Sequence, residues 1–194
     1  VKSRVQDEKT NFQPVSPYAV SKLYAHWMLN LYREAYKLFC CSGILFNHDS
    51  PLRGDQFVTQ KIVKDLVKVK LGLLPFISLG NIYVKRDWGY SQDYIEAMWK
   101  MLQQEKAEDF VISSGNTRTV KTFINKVARK LNFKIEWQGT GLNEIAVNKA
   151  NYQVIVKINR SLFRPTEVAH TYGNFNKARK VLKWKPKTCF DDLV

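Results

Sequence analysis

The sequence is short of several things, and each shortage excludes something. Only three cysteines occur in 194 residues, Cys40, Cys41 and Cys189. An odd number without regular spacing argues against a disulfide framework and against a zinc site. Two of the three lie in an apolar run, where a free thiol packs as a small hydrophobe, so a reducing cytoplasm is the expected compartment. No apolar run approaches the roughly 18–20 residues that cross a bilayer. The first residues are polar and mixed in charge, unlike a secretory leader, and they lack an initiator methionine, as expected of a trimmed or partial chain. The nine glycines are isolated. No Gly-x-x-Gly-x-x-Gly or Gly-x-Gly-x-x-Gly loop follows a strand, so the chain has no dinucleotide-phosphate fingerprint of its own.

Acidic residues are also scarce. Seventeen Asp and Glu face 31 Lys and Arg, for a net charge of +14. Such a balance suits a nucleic-acid or anionic-surface binder, or a lysine-rich chain in which a few cations serve a phosphate-bearing ligand. The lysines are scattered along helices without a dense block, which favours the second reading. What is present is ordinary globular material, 45% hydrophobic and 25% charged, enough for one fair-sized domain or part of a two-domain protein.

The chain reads as alternating helices and strands. Ser16 and Pro17 are a good N-cap and first-turn residue. The apolar positions from Tyr18 to Tyr36 have helical spacing and predict one buried stripe. Leu38–Phe46 reads as a strand buried on both faces, as in a parallel sheet, with a loop over residues 47–51 after it. Helices are expected over Phe57–Leu71, Gln92–Gln104 (capped by Ser91), a segment from Thr119 through Leu131, and Asn174–Leu182. Short strands are expected at Phe76–Leu79, Asp109–Ile112, Phe133–Trp137 and Val154–Ile158. Arg86–Gly89 and Gly139–Gln153 read as loops. The alternation implies an α/β architecture.

Tyr18 and Lys22 stand four positions apart at a helix start, one turn apart on one face. A lysine cation near a phenol favours the phenolate, and such a phenol can exchange a proton as an alcohol becomes a carbonyl. Alone, Tyr-x-x-x-Lys is a weak pattern, and a packed helix tyrosine beside a solvated lysine would look the same. Its context is more specific. Ser16-Pro17-Tyr18-Ala19-Val20-Ser21-Lys22 resembles the catalytic helix start of the extended short-chain dehydrogenases. Gly43-Ile44-Leu45-Phe46-Asn47-His48-Asp49-Ser50-Pro51-Leu52-Arg53-Gly54 resembles a block of the GDP-mannose 4,6-dehydratases. Leu79-Gly80-Asn81, Arg86-Asp87-Trp88-Gly89, Phe163-Arg164-Pro165-Thr166-Glu167 and Leu182-Lys183-Trp184-Lys185-Pro186 follow in family order, so the resemblance runs nearly the whole length.

The resemblance implies the C-terminal part of a doubly wound Rossmann-type parallel sheet plus a smaller α/β substrate-binding domain. The NADP-binding part would be residues 1–55, with 86–105 returning to it. The GDP-sugar-binding part would be 56–85 and 106–194. Tyr18 would be the catalytic tyrosine and Lys22 the lysine on the cofactor ribose. His48 and Arg53 would contact NADP; a guanidinium suits a phosphate through a forked, charge-assisted contact. Asn47, Val58 and Lys61 would line the GDP-sugar site, and Arg86, Arg164 and Glu167 would grip the nucleotide. No metal is implied. The implied reaction converts GDP-mannose to GDP-4-keto-6-deoxymannose, the first step towards GDP-fucose, in a cytoplasmic homo-oligomer (dimer or tetramer at full length) that binds neither nucleic acid nor membrane.

Each role has a plainer counterpart. His48 could be a satisfied loop histidine, Arg86 and Arg164 surface ion-pair partners, Asp87 a brace for its loop, and Trp88, Trp137 and Trp184 core or packing residues. A related GDP- or UDP-sugar epimerase or reductase, or a non-catalytic nucleotide-sugar-binding remnant, competes with the dehydratase. The family's Ser/Thr-x-Glu acid–base segment would lie upstream of residue 1, so the isolated chain is expected to lack turnover and to expose apolar helix faces and sheet edges. Leu52 stands where the family has arginine, Asp49 where it has glutamate, and Ile158-Asn159-Arg160 where it has a Val-Asp-Pro-like run.

Overall fold

The computed structural model describes residues 4–164 and 166–194; residues 1–3 and Pro165, part of the Arg164–Glu167 block, lie outside the described residues. The chain divides into two compact units. The first comprises residues 1–50, 85–117 and 166–193, the second residues 51–84, 118–165 and 194. The expected parts, 1–55 with 86–105 and 56–85 with 106–194, divide differently: 51–55 falls in the second unit, and 85, 106–117 and 166–193 fall in the first. The reason is pairing. The strand at Asp109–Ile112 runs beside the one at Ser42–Leu45, and the segment around Ala178 and Trp184 packs in the same cluster as Phe110.

In the first unit, helix α1 (Pro17–Tyr36) starts where the sequence says. The Ser16 hydroxyl accepts from the Ala19 amide, Pro17 occupies the first turn, and Lys37 ends the helix in the left-handed conformation. Strands β1 (Ser42–Leu45) and β2 (Asn47–Asp49) follow. After an excursion into the second unit come β4 (Lys85–Tyr90), α3 (Ser91–Met101) and β5 (Asp109–Ile112), then a short helix α5 (Asn176–Val181) and a final turn α6 (Phe190–Leu193). β1 pairs parallel with β5, and β2 parallel with β4, bringing His48 opposite Gly89. Tyr94, Ala97 and Met101 of α3 pack with Phe110, Ile112, Ala178, Leu182 and Trp184. Trp184 donates its indole N–H to the Asp93 carbonyl at 2.9 Å, and the Asp93 carboxylate accepts from the amides of Lys187 and Thr188 at 3.0 and 2.9 Å. A buried indole and a buried carboxylate are thereby satisfied together.

Three expectations for this unit need correcting. Residues 47–49 and 85–90 are strands, not loops; polar strands do not show the apolar alternation that marks a half-buried one. Leu38–Phe46 is not one buried strand, since only 42–45 is extended in a ladder and Leu38 and Phe39 are exposed. Helix α1 buries none of its residues. Its inner side is held by polar contacts instead. His26 Nδ1 lies 2.8 Å from Ser42 Oγ. Arg33 donates to the Cys40 carbonyl at 2.7 Å and to the Asp109 carboxylate at 2.5 Å.

The second unit contains α2 (Val58–Lys70), β3 (Ile77–Leu79), α4 (Val120–Lys130), β7 (Ile135–Gln138), β8 (Ile145–Asn148) and β9 (Val154–Ile158); the short β6 (Thr117–Thr119) leads into it. Its sheet has the order β3-β9-β8-β7. β3 and β9 are parallel, and β7-β8-β9 is an antiparallel meander. β8 lies inside the segment expected to be a loop. Its four residues are flanked by Gly139, Gly141 and the turn at 149–151, which hides so short a strand. Helices α2 and α4 bury Ile62, Leu66 and Val69, and Phe123, Ile124 and Val127, and keep Lys64, Lys68, Lys70 and Lys130 exposed. No helix among the described residues is long and apolar enough to cross a membrane. The three cysteines are free.

Candidate active site

The residues singled out from the sequence fall in both units. Tyr18, Lys22, Asn47, His48, Arg86 and Glu167 belong to the first, and Arg53, Val58, Lys61 and Arg164 to the second. In the first unit, Tyr18 is 71% exposed on the opening turn of α1. The Lys22 ammonium lies 5.5 Å from its ring centroid. The Ser21 hydroxyl donates to the Tyr18 carbonyl at 2.8 Å, so this turn is bonded at Ser16 and at Ser21. The helix start therefore presents a phenol and a cation on one accessible face.

β2 carries Asn47, exposed, and His48, half-buried. His48 Nδ1 lies 2.9 Å from the Phe46 carbonyl. A carbonyl only accepts, so Nδ1 carries the proton of that bond. The His48 ring rests on Tyr94, centroids 5.0 Å apart. Gly89, opposite His48 in the ladder, lets Tyr94 approach; a Cβ there would meet the Tyr94 ring at 2.3 Å. Burial first, then the carboxylates of Asp87, Asp93 and Asp49, push the Tyr94 phenol far above its ordinary range, so it stays protonated.

Sequence reasoning left Asp87 a brace, and it is a deep one. It is fully buried. One carboxylate oxygen accepts from the Ser114 amide at 2.8 Å and the Ser114 hydroxyl at 2.6 Å. The other accepts from the Gly115 and Gly173 amides at 3.1 and 3.2 Å. Burial raises its pKa above the usual aspartate value, and these hydrogen bonds work against that rise. Next to it, Arg86 donates to the Val168 carbonyl at 2.6 Å and lies 3.6 Å from Glu167. Two of the three expected nucleotide-gripping residues, Arg86 and Glu167, are thus side by side.

In the second unit, the Arg53 guanidinium lies 3.7 Å from the Phe57 ring centroid, a cation–π contact. Val58 and Lys61 sit one turn apart on α2, and Lys61 pairs with Asp65 at 2.8 Å. Arg164 is exposed. A trio centred on the buried Glu144, with the exposed Tyr83 and the half-buried Lys121, carries no local sequence signal. Glu144 accepts from the Tyr83 hydroxyl at 2.6 Å and from Lys121 at 2.5 Å. Burial works against the Lys121 cation, but the hydrogen bond and charge of Glu144 outweigh it and leave the lysine pKa above its ordinary value. A cleft of ≈ 160 Å³ lined by Gly80, Asn81, Tyr83, Leu142, Ile158 and Phe163 lies in the same unit. The sequence signals for the cleft were Gly80-Asn81, Ile158 and Phe163, all in segments compared with the family. No cluster of three or more His, Cys, Asp or Glu suited to a metal occurs among the described residues.

The sequence model of the family described as GDP-mannose 4,6 dehydratase matches residues 1–194. The chain belongs to the GDP-mannose 4,6-dehydratase family. It is 49% identical over 189 residues to the GDP-mannose 4,6 dehydratase of Dictyostelium discoideum, covering 97% of this chain and 53% of that protein. To that of Homo sapiens it is 47% identical, with 97% and 51% covered. The chain spans about half the length of the curated relatives it matches. Among solved structures it resembles RMD of Pseudomonas aeruginosa complexed with NADPH, at TM-score 0.76 and 20% identity, covering 95% of this chain and 55% of that one. It also resembles dTDP-glucose 4,6-dehydratase of Bacillus anthracis in complex with NAD, at TM-score 0.77 and 19% identity, covering 99% and 54%. At that identity the likeness shows the fold alone, and the fold is the expected one, mixed α/β with parallel, Rossmann-type strands.

Proposed function

We propose that these residues form the C-terminal part of an NADP-dependent hydro-lyase that converts GDP-mannose to GDP-4-keto-6-deoxymannose. The observation that carries this reading is the Tyr18–Lys22 pair on the capped, accessible start of α1, in a chain that matches the dehydratase family over its full length. The residues present fit part of a dinucleotide. Lys22 can hold ribose hydroxyls, His48 is oriented by the Phe46 carbonyl, and the guanidinium of Arg53 suits a phosphate. Bound NADP would supply the acceptor, and later the donor, of a hydride. Tyr18 takes the proton of the hexose 4-hydroxyl, with the Lys22 ammonium beside its ring. The resulting 4-keto group acidifies the C5 proton, and loss of water across C5 and C6 follows. Asn47, Val58 and Lys61 line the sugar, and Arg86, Arg164 and Glu167 hold the nucleotide.

Lys22, His48 and Arg53 serve the cofactor, and Asn47, Val58, Lys61, Arg86, Arg164 and Glu167 the sugar nucleotide. The protein works as a cytoplasmic homo-oligomer, dimer or tetramer, without nucleic-acid or membrane partners. Support for further subunit or chain contacts comes from Tyr24, Trp27 and Leu31, all more than half exposed on α1. The test is turnover of GDP-mannose by the gene product that contains these residues together with any that precede them. Tyr18→Phe there lowers kcat by about 10²–10⁴-fold with GDP affinity unchanged. Equal turnover by Tyr18→Phe, or no release of 4-keto product, refutes the assignment.

A further inference from the structure

The positive charge of this protein is not evenly shared. The second unit, residues 51–84, 118–165 and 194, carries fifteen Lys and Arg against four Asp and Glu, a net +11. The first unit carries sixteen against thirteen, a net +3. A general lysine bias would enrich bases in both units and leave acids alike. Here the bases are similar in number and the acids differ threefold, so the asymmetry comes from missing carboxylates. The four that remain are all engaged. Asp55 holds Lys64, Asp65 holds Lys61 and Lys68, Glu136 holds Lys149, and Glu144 holds Lys121. The excess cations are spread over α2, α4 and the turns of the meander, with Arg129, Lys134 and Arg160 exposed. A polyanion reader concentrates its bases on one stripe with interleaved aromatics. A field spread over a whole small unit instead draws in a compact anion from any direction.

We infer that the second unit is an electrostatic collector for a small dianion, the diphosphate of a nucleoside diphosphate sugar. Its scattered cations speed the arrival of that ligand, and only Lys61 and Arg164 in this unit hold it. This rests on the nucleotide-sugar reading above. Charges remote from the ligand change the association rate and its salt dependence, and leave the dissociation rate to the contacting groups. Screening removes the effect once the Debye length falls to a few ångströms.

The experiment is stopped-flow binding of a fluorescent GDP (N-methylanthraniloyl-GDP) to the gene product that contains these residues together with any that precede them, between about 0.02 and 0.5 M NaCl. Three chains are compared: the parent, the second-unit triple variant Arg129→Glu/Lys134→Glu/Arg160→Glu, and the first-unit triple variant Lys106→Glu/Lys183→Glu/Lys185→Glu. Both variants remove the same charge from exposed positions outside the proposed contacts, and circular dichroism checks their folding. The expected result is a roughly three- to tenfold fall in association rate at low salt for the second-unit variant, closing to near parity at high salt. The dissociation rate stays constant, and the first-unit variant changes less. A salt-insensitive association rate, or equal losses in both variants, overturns the collector while leaving GDP binding intact. No GDP binding at any salt overturns the nucleotide-sugar reading and the collector with it. Tighter binding of a mixed-sequence DNA duplex than of GDP at about 0.15 M salt replaces the collector by a polyanion surface.

Discussion

Helices α1 and α4 begin alike and end up differently. Each opens on a hydroxyl that accepts the amide three residues on, Ser16 to Ala19 at 3.1 Å and Thr119 to Thr122 at 3.0 Å. Each has apolar residues at helical spacing. Yet α4 buries Val120, Phe123, Ile124, Val127 and Ala128 within eleven residues, and α1 buries none in twenty. Amphipathic spacing states which face can be covered, not whether a layer covers it. For α4 that layer is α2 and β7 of its own unit. For α1, no layer among the described residues covers Tyr24, Trp27 or Leu31. Stability in this chain is therefore expected to come from α4, and chemistry from α1.

The largest expected effect breaks or confirms that contrast directly. Phe123→Ala removes a side chain that is 3% exposed and costs about 3–5 kcal/mol in urea denaturation. Trp27→Ala removes a larger ring that is 61% exposed, and its cost stays within about 0.5 kcal/mol. If Trp27→Ala proved as costly as Phe123→Ala, the outer face of α1 would have to be covered in solution.

A second test sets a polar anchor against these apolar ones. Asp87→Asn turns one of two carboxylate oxygens into a donor facing amides that already donate, those of Ser114 or of Gly115 and Gly173. The loss is about 2–3 kcal/mol, the cost of unsatisfied buried groups, and comes with a pH signature. Because burial raises the folded-state pKa of Asp87 above the ordinary aspartate value of 3.8, the folded chain holds this proton more tightly than the unfolded one. The site's contribution is complete below pH 3.8 and is lost as pH rises through the raised pKa. The parent's advantage over Asp87→Asn therefore widens as pH falls through that window. A gap that narrows on acidification would contradict the burial-dominated shift.

The sequence made the helix starts legible because caps are local. Ser16-Pro17 and Thr119 are correct to the residue, and so is the strand at Val154–Ile158. β2 and β4 were hidden because Asn47-His48-Asp49 and Lys85-Arg86-Asp87 are polar. What lets Asp87 lie in a buried strand is a set of partners 27, 28 and 86 residues away, which no local window contains. The division into units was missed at 106–117 and 166–193 for a similar reason, since the β1–β5 ladder joins residues 67 apart, as in the pair Ser42 and Asp109. For the candidate site, the Tyr18–Lys22 spacing could be read directly. The Arg86–Glu167 pair could be anticipated only by resemblance, and the Tyr83–Glu144–Lys121 trio not at all.

The smallest effect sharpens the comparison most finely, because the two caps have matched geometry. Thr119→Ala costs about 1 kcal/mol, and it lowers the global midpoint because α4 is part of a packed core. Ser16→Ala removes the same kind of bond from a helix that buries nothing, so its effect is local fraying. Hydrogen exchange at the Ala19 amide should accelerate by up to about fivefold, the equivalent of about 1 kcal/mol, with little change in the denaturation midpoint. The frayed turn is the one that holds Tyr18 beside Lys22. A Ser16→Ala midpoint shift as large as that of Thr119→Ala would show that the start of α1 unfolds only with the core, and that the chemistry-bearing helix is as firmly anchored as the buried one.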